Sequence, residues 1–382
     1  MRGRWILRIV ALTVMVAFSL VAQHTYAVDS YKIGAAFALT GPAAMIGDPS
    51  KKMADMLLKE INDGGGVNGH PIEMITYDTA SDPTRAVTVI RRLVNKDKVL
   101  AVIGPTTTGS AMASIKFIQD SEVPMIACVG GSPVVIPVKK WVFKSPQTGI
   151  VAAERLFDYF VEKGIKKVAL MTSAGGFGSS GKKALLDQAE SRGLKIVADH
   201  RYNDKDTDMS AQITAIRGTD AQAIVVWGIG PAPAIITKNV KQLGAKIPVF
   251  MSHGQADPSF IRLAGSAAEG VRMPASRFIV ADLLPDNDSR KPFLQKIKKA
   301  YEARYGPVST HTGYAYDALQ ILVRALEKAG PDRAKLRDAI EQTKGYVGIN
   351  GTFNMSPDDH NGLTKESLVM VMVKDGGWVI VP

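Results

Sequence analysis

The segment with the most obvious chemistry is Gly176-Phe177-Gly178-Ser179-Ser180-Gly181, a G-x-G-x-x-G run behind an apolar stretch, with Asp199 ending the next one. In a dinucleotide-dependent enzyme, such glycines bring backbone N–H groups up to a pyrophosphate at a helix N-terminus. Thr172, Ser173, Ala174 and Gly175 separate the apolar stretch from the glycines, which is one residue set too many for that fingerprint. Continued into Lys182-Lys183, the run also imitates a phosphate loop, but Lys183 stands where magnesium needs a Ser or Thr. Asp204, Asp206 and Asp208 open like a calcium loop, yet Met209 replaces the glycine of the sixth position and Ala215 the glutamate of the twelfth. An acidic turn capping a helix from Met209 accounts for them better. His70, His200, His253, His311 and His360 show no metal-ligand spacing, and no G-x-S-x-G elbow is present. The expectation is therefore no metal, no cofactor and no enzyme activity.

A quieter pattern carries more. An apolar stretch at 99–103 runs into Gly104-Pro105-Thr106-Thr107-Thr108-Gly109-Ser110, after which a helix is predicted. Unpaired N–H groups at a helix start, with Thr106, Thr107 and Thr108 beside them, suit a carboxylate. A second turn of this kind, Cys128-Val129-Gly130-Gly131-Ser132, follows the next apolar stretch. Both lie where open α/β sheets bind ligands, beyond the carboxyl ends of strands. Helix capping alone explains the same hydroxyls, so the residues leave the two roles open.

The elements that must position these turns alternate along the chain. Strands are predicted at 31–36, 72–77, 99–103, 124–127, 167–171, 195–198, 223–227 and 249–251. Helices are predicted at 49–62, 82–96, 109–119, 150–163, 182–192, 209–217, 234–243, 291–305 and 312–329, and a terminal hairpin at 368–381. Such alternation implies parallel sheets covered by helices on both faces. At 382 residues the chain suits two lobes, and 46% hydrophobic with 22% charged residues suits a soluble fold. No low-complexity linker divides it, so several chain crossings are expected between the lobes.

Residues 1–27 read as a secretory signal peptide: Arg2, Arg4 and Arg8 precede an apolar run at 9–22, and Thr25 and Ala27 offer a cleavage site. That run is shorter than the roughly 20 residues of a membrane span. Its loss takes three arginines and lowers the formal charge of +11 to +8. Basic residues are dispersed without interleaved aromatics, so nucleic acid is not an expected partner. The lone Cys128 has no disulfide partner within the chain.

With these residues in view, the chain resembles the leucine-binding-protein family, the periplasmic receptors of branched-chain amino acid ABC transporters with the type I periplasmic-binding fold. The resemblance rests on Tyr31-Lys32-Ile33-Gly34 with Leu39-Thr40-Gly41-Pro42, on Gly65-Gly66-Val67-Asn68-Gly69, on Tyr77-Asp78 with Asp82-Pro83, and on Val102-Ile103-Gly104-Pro105. Further matches are Gly176-Phe177-Gly178, Asp208-Met209-Ser210-Ala211-Gln212-Ile213 and Ala268-Glu269-Gly270. It implies two Rossmann-like lobes joined by a three-crossing hinge, 28–144 plus 274–348 and 145–273 plus 349–382. It also implies a monomer that closes on its ligand and engages membrane permease subunits. Residue by residue, the carboxylate hydroxyl falls on or next to Thr108, the following turn on Val129, Gly130, Gly131 and Ser132, and the cleft aromatics near Ile46, Phe177 and Trp227.

Three departures matter. Ile46 is not aromatic, Gly131 stands for a threonine, and Ser252-His253-Gly254-Gln255 lacks the glutamate that pairs with an amino acid's ammonium. Burying an ammonium without acceptors costs several kcal/mol. A hydrophobic or aromatic carboxylate is therefore expected ahead of a branched-chain amino acid, with His253 as a donor to a ligand oxygen. A periplasmic sensory module and a dinucleotide-dependent enzyme are the alternatives.

Overall fold

Short strands that are apolar throughout need cover on both faces, and the chain supplies that cover twice. The computed structural model describes residues 29–382; the segment read as a signal peptide lies outside the described residues. The first half winds through β1 (Tyr31–Phe37), α1 (Ala44–Asp63), β2 (Ile72–Asp78), α2 (Pro83–Asn95), β3 (Ala101–Ile103), α3 (Thr108–Ser121), β4 (Met125–Ala127) and β5 (Val142–Lys144). These strands form one parallel sheet in the order β2-β1-β3-β4-β5. Asp82 opens α2 as a cap, its carboxylate accepting from Arg85 N at 2.7 Å, with Pro83 at the first helical position.

The chain then crosses into α4 (Gly149–Glu162), β6 (Lys167–Ser173), α5 (Gly176–Ala189), β7 (Lys195–Tyr202), α6 (Ser210–Arg217), β8 (Ala223–Trp227), α7 (Ala232–Gln242), β9 (Val249–Met251), α8 (Pro258–Ala264) and β10 (Arg272–Ser276). It returns through α9 (Lys291–Tyr305), α10 (Thr312–Ala329), α11 (Arg333–Glu341) and the small hairpin of β11 (Tyr346–Val347) and β12 (Thr352–Phe353). It ends in β13 (Leu368–Lys374) and β14 (Gly377–Ile380), which extend the second sheet antiparallel beside β10. That sheet runs β14-β13-β10-β9-β8-β6-β7.

Each sheet has a core on either side. Ile90, Leu93, Ala111 and Ile118 of α2 and α3 cover one face of the first, while Met53 and Leu57 of α1 join Leu319 and Leu322 of α10 over the other. Leu156 and Phe160 of α4 with Leu185 of α5 pack one face of the second, and Ile213, Ile236 and Phe260 of α6, α7 and α8 the other. Between β10 and α9 the chain bridges both: Phe278 and Leu284 enter the first core, Ile279 and Val280 the second. The two-lobed α/β class expected from the sequence is thus the observed one.

Several boundaries differ, each for a local reason. Helix α1 begins at Ala44, not 49, and takes Pro49 into its second turn. The proline has no amide donor for Met45 O, and one residue on Ser50 Oγ donates to Ile46 O at 2.8 Å. Helix α5 begins at Gly176, not 182, because its glycines are helical residues rather than a loop. Strand β10 was hidden by Pro274, which is tolerated because parallel pairing to β9 is confined to Arg272. Phe353, Met355 and Leu363 pack in the first core, and the chain rejoins the second sheet at Leu368.

Candidate functional site

In each sheet the strand order reverses at one place. The first reverses between β1 and β3, the second between β6 and β8, and loops leaving such switch points diverge to leave a crevice. The two crevices face one another. An inner chamber with a cavity volume of about 20 Å³ is lined by Ile46, Thr106, Thr107, Thr108, Cys128, Val129 and Gly130 on the first-sheet side, with His311 and Tyr314 near the start of α10. Phe177, Ile229, His253 and Gly254 line it from the second sheet. It opens past Thr107, Thr108, Phe177 and Ile229 into an outer vestibule of about 410 Å³ that includes Asp204 and Lys205.

The three threonines divide their tasks. Thr106 Oγ1 accepts from Ala38 N at 2.9 Å and locks the loops after β3 and β1 together. Thr107 caps α3, accepting from Ser110 N and donating to Ser110 Oγ at 2.8 Å. Of the three, Thr108 is the one whose hydroxyl has no hydrogen-bond partner among the described residues, although Thr108 is 3% exposed. Helices α3 and α5 both begin here and leave first-turn N–H groups that neither helix can satisfy. Their ends nearly touch: a Cβ on Gly176 would lie 3.2 Å from Gly109 N. Each end carries roughly half a positive charge, so an anion between them is favoured.

The apolar wall is Ile46 and Phe177 with Ile229. Phe177 sits in a triangle with Trp227 and His253, ring centroids 5.9 Å and 5.6 Å away, and Trp227 lies 5.8 Å from His253. Trp227 does not line the chamber. It is fully buried behind Phe177, and a Cβ on Gly181 would fall 2.1 Å from its Nε1. Gly131 and Ser132 also stand back. Gly131 packs against the Thr108 side chain, where a Cβ would lie 2.2 Å from Cγ2, and Ser132 Oγ accepts from Ile150 N at 3.2 Å to cap α4. Threonine's absence at 131 is thereby explained: there is no room for it.

Both chamber histidines are buried, each 1% exposed. Burial pushes the His253 imidazole down to about 3, with Lys144 and His311 adding to the effect, so it is neutral at neutral pH. Burial also pushes His311 down. The thiol of Cys128 is pushed up to about 12 by burial and is a neutral wall group. Among the described residues no carboxylate lines the inner chamber.

Sequence reading missed Cys128, Ile229, Gly254, His311 and Tyr314. Cys128 and Gly254 adjoin expected residues and could have been included with them. His311 and Tyr314 come from a segment more than 200 residues from Thr108 in the chain, and no spacing joins them. Among the described residues no group of three or more His, Cys, Asp or Glu side chains could hold a metal ion, and no helix is long and apolar enough to cross a membrane.

The glycine run has a packing role at every position: Gly176 meets α3, Gly181 meets Trp227, and a Cβ on Gly178 would strike Ser173 O at 2.1 Å. The acidic residues nearby shape a turn: Asp206 accepts from Asn203 N at 2.7 Å, and Asp208 accepts from Ser210 N at 2.9 Å where α6 starts.

Known proteins resemble this chain in sequence and in fold. The Leucine-, isoleucine-, valine-, threonine-, and alanine-binding protein of Pseudomonas aeruginosa is 27% identical over 345 residues, 86% of this chain and 88% of its own. An extracellular ligand-binding receptor from Rhodopseudomonas palustris superposes with a TM-score of 0.86 at 29% identity, covering 93% of this chain and 100% of its own. The branched-chain amino acid transporter substrate binding protein LivJ of Streptococcus pneumoniae, solved with isoleucine, superposes at 0.81 with 26% identity over 92% of this chain and 99% of its own. The family model described as periplasmic binding protein matches residues 30–377, and the chain belongs to that family.

Proposed function

We propose that this chain is the exported solute receptor of an ABC transporter, not an enzyme, and that its ligand is a small hydrophobic or aromatic carboxylate. One observation carries the ligand class: the chamber places a free hydroxyl and two helix N-termini opposite an apolar wall, with no acid to receive an ammonium. In this reading residues 29–144 with 284–363 form lobe one, and 149–276 with 368–382 form lobe two. The remaining segments are the hinge, residues 1–27 direct export to the periplasm, and the monomer delivers its solute to membrane permease subunits.

The same geometry couples binding to closure. Closing brings two like-signed helix ends together, and an anion between them converts a repulsion into two attractions. A ligand that touches both lobes binds the closed state better and shifts the population toward it. Burying an aromatic ring of roughly 150–250 Å² contributes about 4–6 kcal/mol. Micromolar affinity requires about 8 kcal/mol, which leaves about 2–4 for the anion contacts.

Calorimetry of the mature chain with benzoate and its methyl derivatives against leucine, isoleucine and valine tests this directly. Binding of an aromatic acid with no comparable heat from the amino acids is expected; tight leucine binding with none from the acids defeats the ligand class. A companion variant, Thr108→Val, keeps the side-chain shape and removes the hydroxyl. Loss of a hydrogen bond to a charged group, about 1.5–3 kcal/mol, should weaken acid binding roughly 10- to 100-fold and leave the ligand-free melting midpoint in place.

A further inference from the structure

The inner chamber contains more hydrogen-bonding capacity than a carboxylate can use. His253 and His311 enter it from opposite sides, His253 just after β9 and His311 just before α10. Among the described residues all four of their ring nitrogens are buried without a partner. The carbonyls of Gln147 and Gly254 lie nearby but outside hydrogen-bond geometry.

Two charged side chains close by are already engaged. Lys144 Nζ donates to Pro146 O at 2.5 Å and Gln147 O at 2.7 Å. Asp257 accepts from Ser259 N at 2.7 Å as the cap of α8.

A neutral imidazole has one N–H donor and one acceptor nitrogen, so the pair presents both kinds of unmet demand. A carboxylate brings acceptors only, an ammonium brings donors only, and an alkyl or aryl surface brings neither. Leaving such groups unpaired in a closed chamber costs free energy, whereas a site built to hydrogen-bond a hydroxyl rejects the analogue that lacks it.

We infer that the solute carries, besides its carboxylate, a hydroxyl that both donates and accepts, held by His253 and His311. The inference rests on the carboxylate reading above and narrows it to hydroxy-substituted hydrophobic or aromatic acids. His253 and His311 thus become determinants of specificity.

The experiment is calorimetry of the mature chain at neutral pH with benzoate, the three methylbenzoates, the three hydroxybenzoates and leucine. Methyl and hydroxyl are close in size, so each matched pair isolates the hydrogen bonds. At least one hydroxybenzoate should bind about tenfold or more tightly than its methyl counterpart. In His253→Leu and His311→Leu that ratio should fall toward one while the methylbenzoate keeps its affinity. If every methylbenzoate binds as well as its hydroxy partner, the inference fails and the carboxylate reading stands. If leucine alone binds, or none of the compounds does, both fail. The wild-type series decides the matter even if a variant does not fold.

Discussion

Gly178→Ala should lower the melting midpoint of the ligand-free protein by roughly 6–12 °C, the consequence of about 3 kcal/mol of lost stability in a lobe of this size. The added Cβ would lie 2.1 Å from Ser173 O and 2.7 Å from its carbonyl carbon. Neither atom can give way cheaply, because Ser173 is the last residue of β6 and its neighbours are held on both sides by β7 and β8. The start of α5 would have to lift off the sheet, carrying Phe177 with it and separating Leu185 from Phe157 and Leu170 in the shared core. Thermal unfolding followed by circular dichroism, without any added solute, reads this out. A dinucleotide loop makes the opposite forecast, since its glycines serve a ligand: stability would hold and nucleotide binding would vanish. An unchanged midpoint would therefore remove the packing explanation of this run and return the dinucleotide reading to consideration.

The same glycines show what the sequence could and could not disclose. Alternating apolar and amphipathic stretches were enough to place most strands and helices, because period and length are local properties. They misplaced the start of α5, because glycine lowers helix propensity and nothing local reveals that Trp227 and Ser173 need the vacated volume. Strands β5 and β10 eluded the pattern for a related reason: three residues are too few to show a period, and Pro274 reads as a breaker until its neighbours are known.

The candidate site divides the same way. Thr106, Thr107 and Thr108 were legible as a group because they follow a strand and precede a helix. Which of them is free depends on Ala38 and Ser110, partners chosen by the fold. Trp227 was expected in the cleft on the strength of resemblance, and an aromatic at the end of a strand carries no sign of which layer it joins. His311 could not be found at all, since its importance arises only when α10 is brought against α1 and β3.

If the chamber closes on its ligand as proposed, substitution of a glycine on the first-sheet side should have the larger effect on binding. A Cβ on Gly130 would stand 2.6 Å from Phe177 Cε2 and 2.9 Å from His253 Nε2, both of which belong to the second-sheet side. Neither ring can swing aside, because Phe177 and His253 brace each other and Trp227. Gly130→Val therefore inserts a wedge between the lobes while leaving each lobe's own core untouched. Its carbonyl accepts from Gly149 N at 2.8 Å, a backbone contact that valine can retain. Acid binding should weaken more than 100-fold, because the ligand loses the apolar wall and the second helix end together, about 3 kcal/mol or more. The midpoint of ligand-free unfolding should move by only a few degrees. Solution scattering supplies the second readout: wild-type protein should contract when saturated with ligand, and the variant should keep its open dimensions at the same concentration. Wild-type affinity in Gly130→Val, with normal contraction, would mean that the solute does not sit between Gly130 and Phe177, and the anion site would have to be sought outside this chamber.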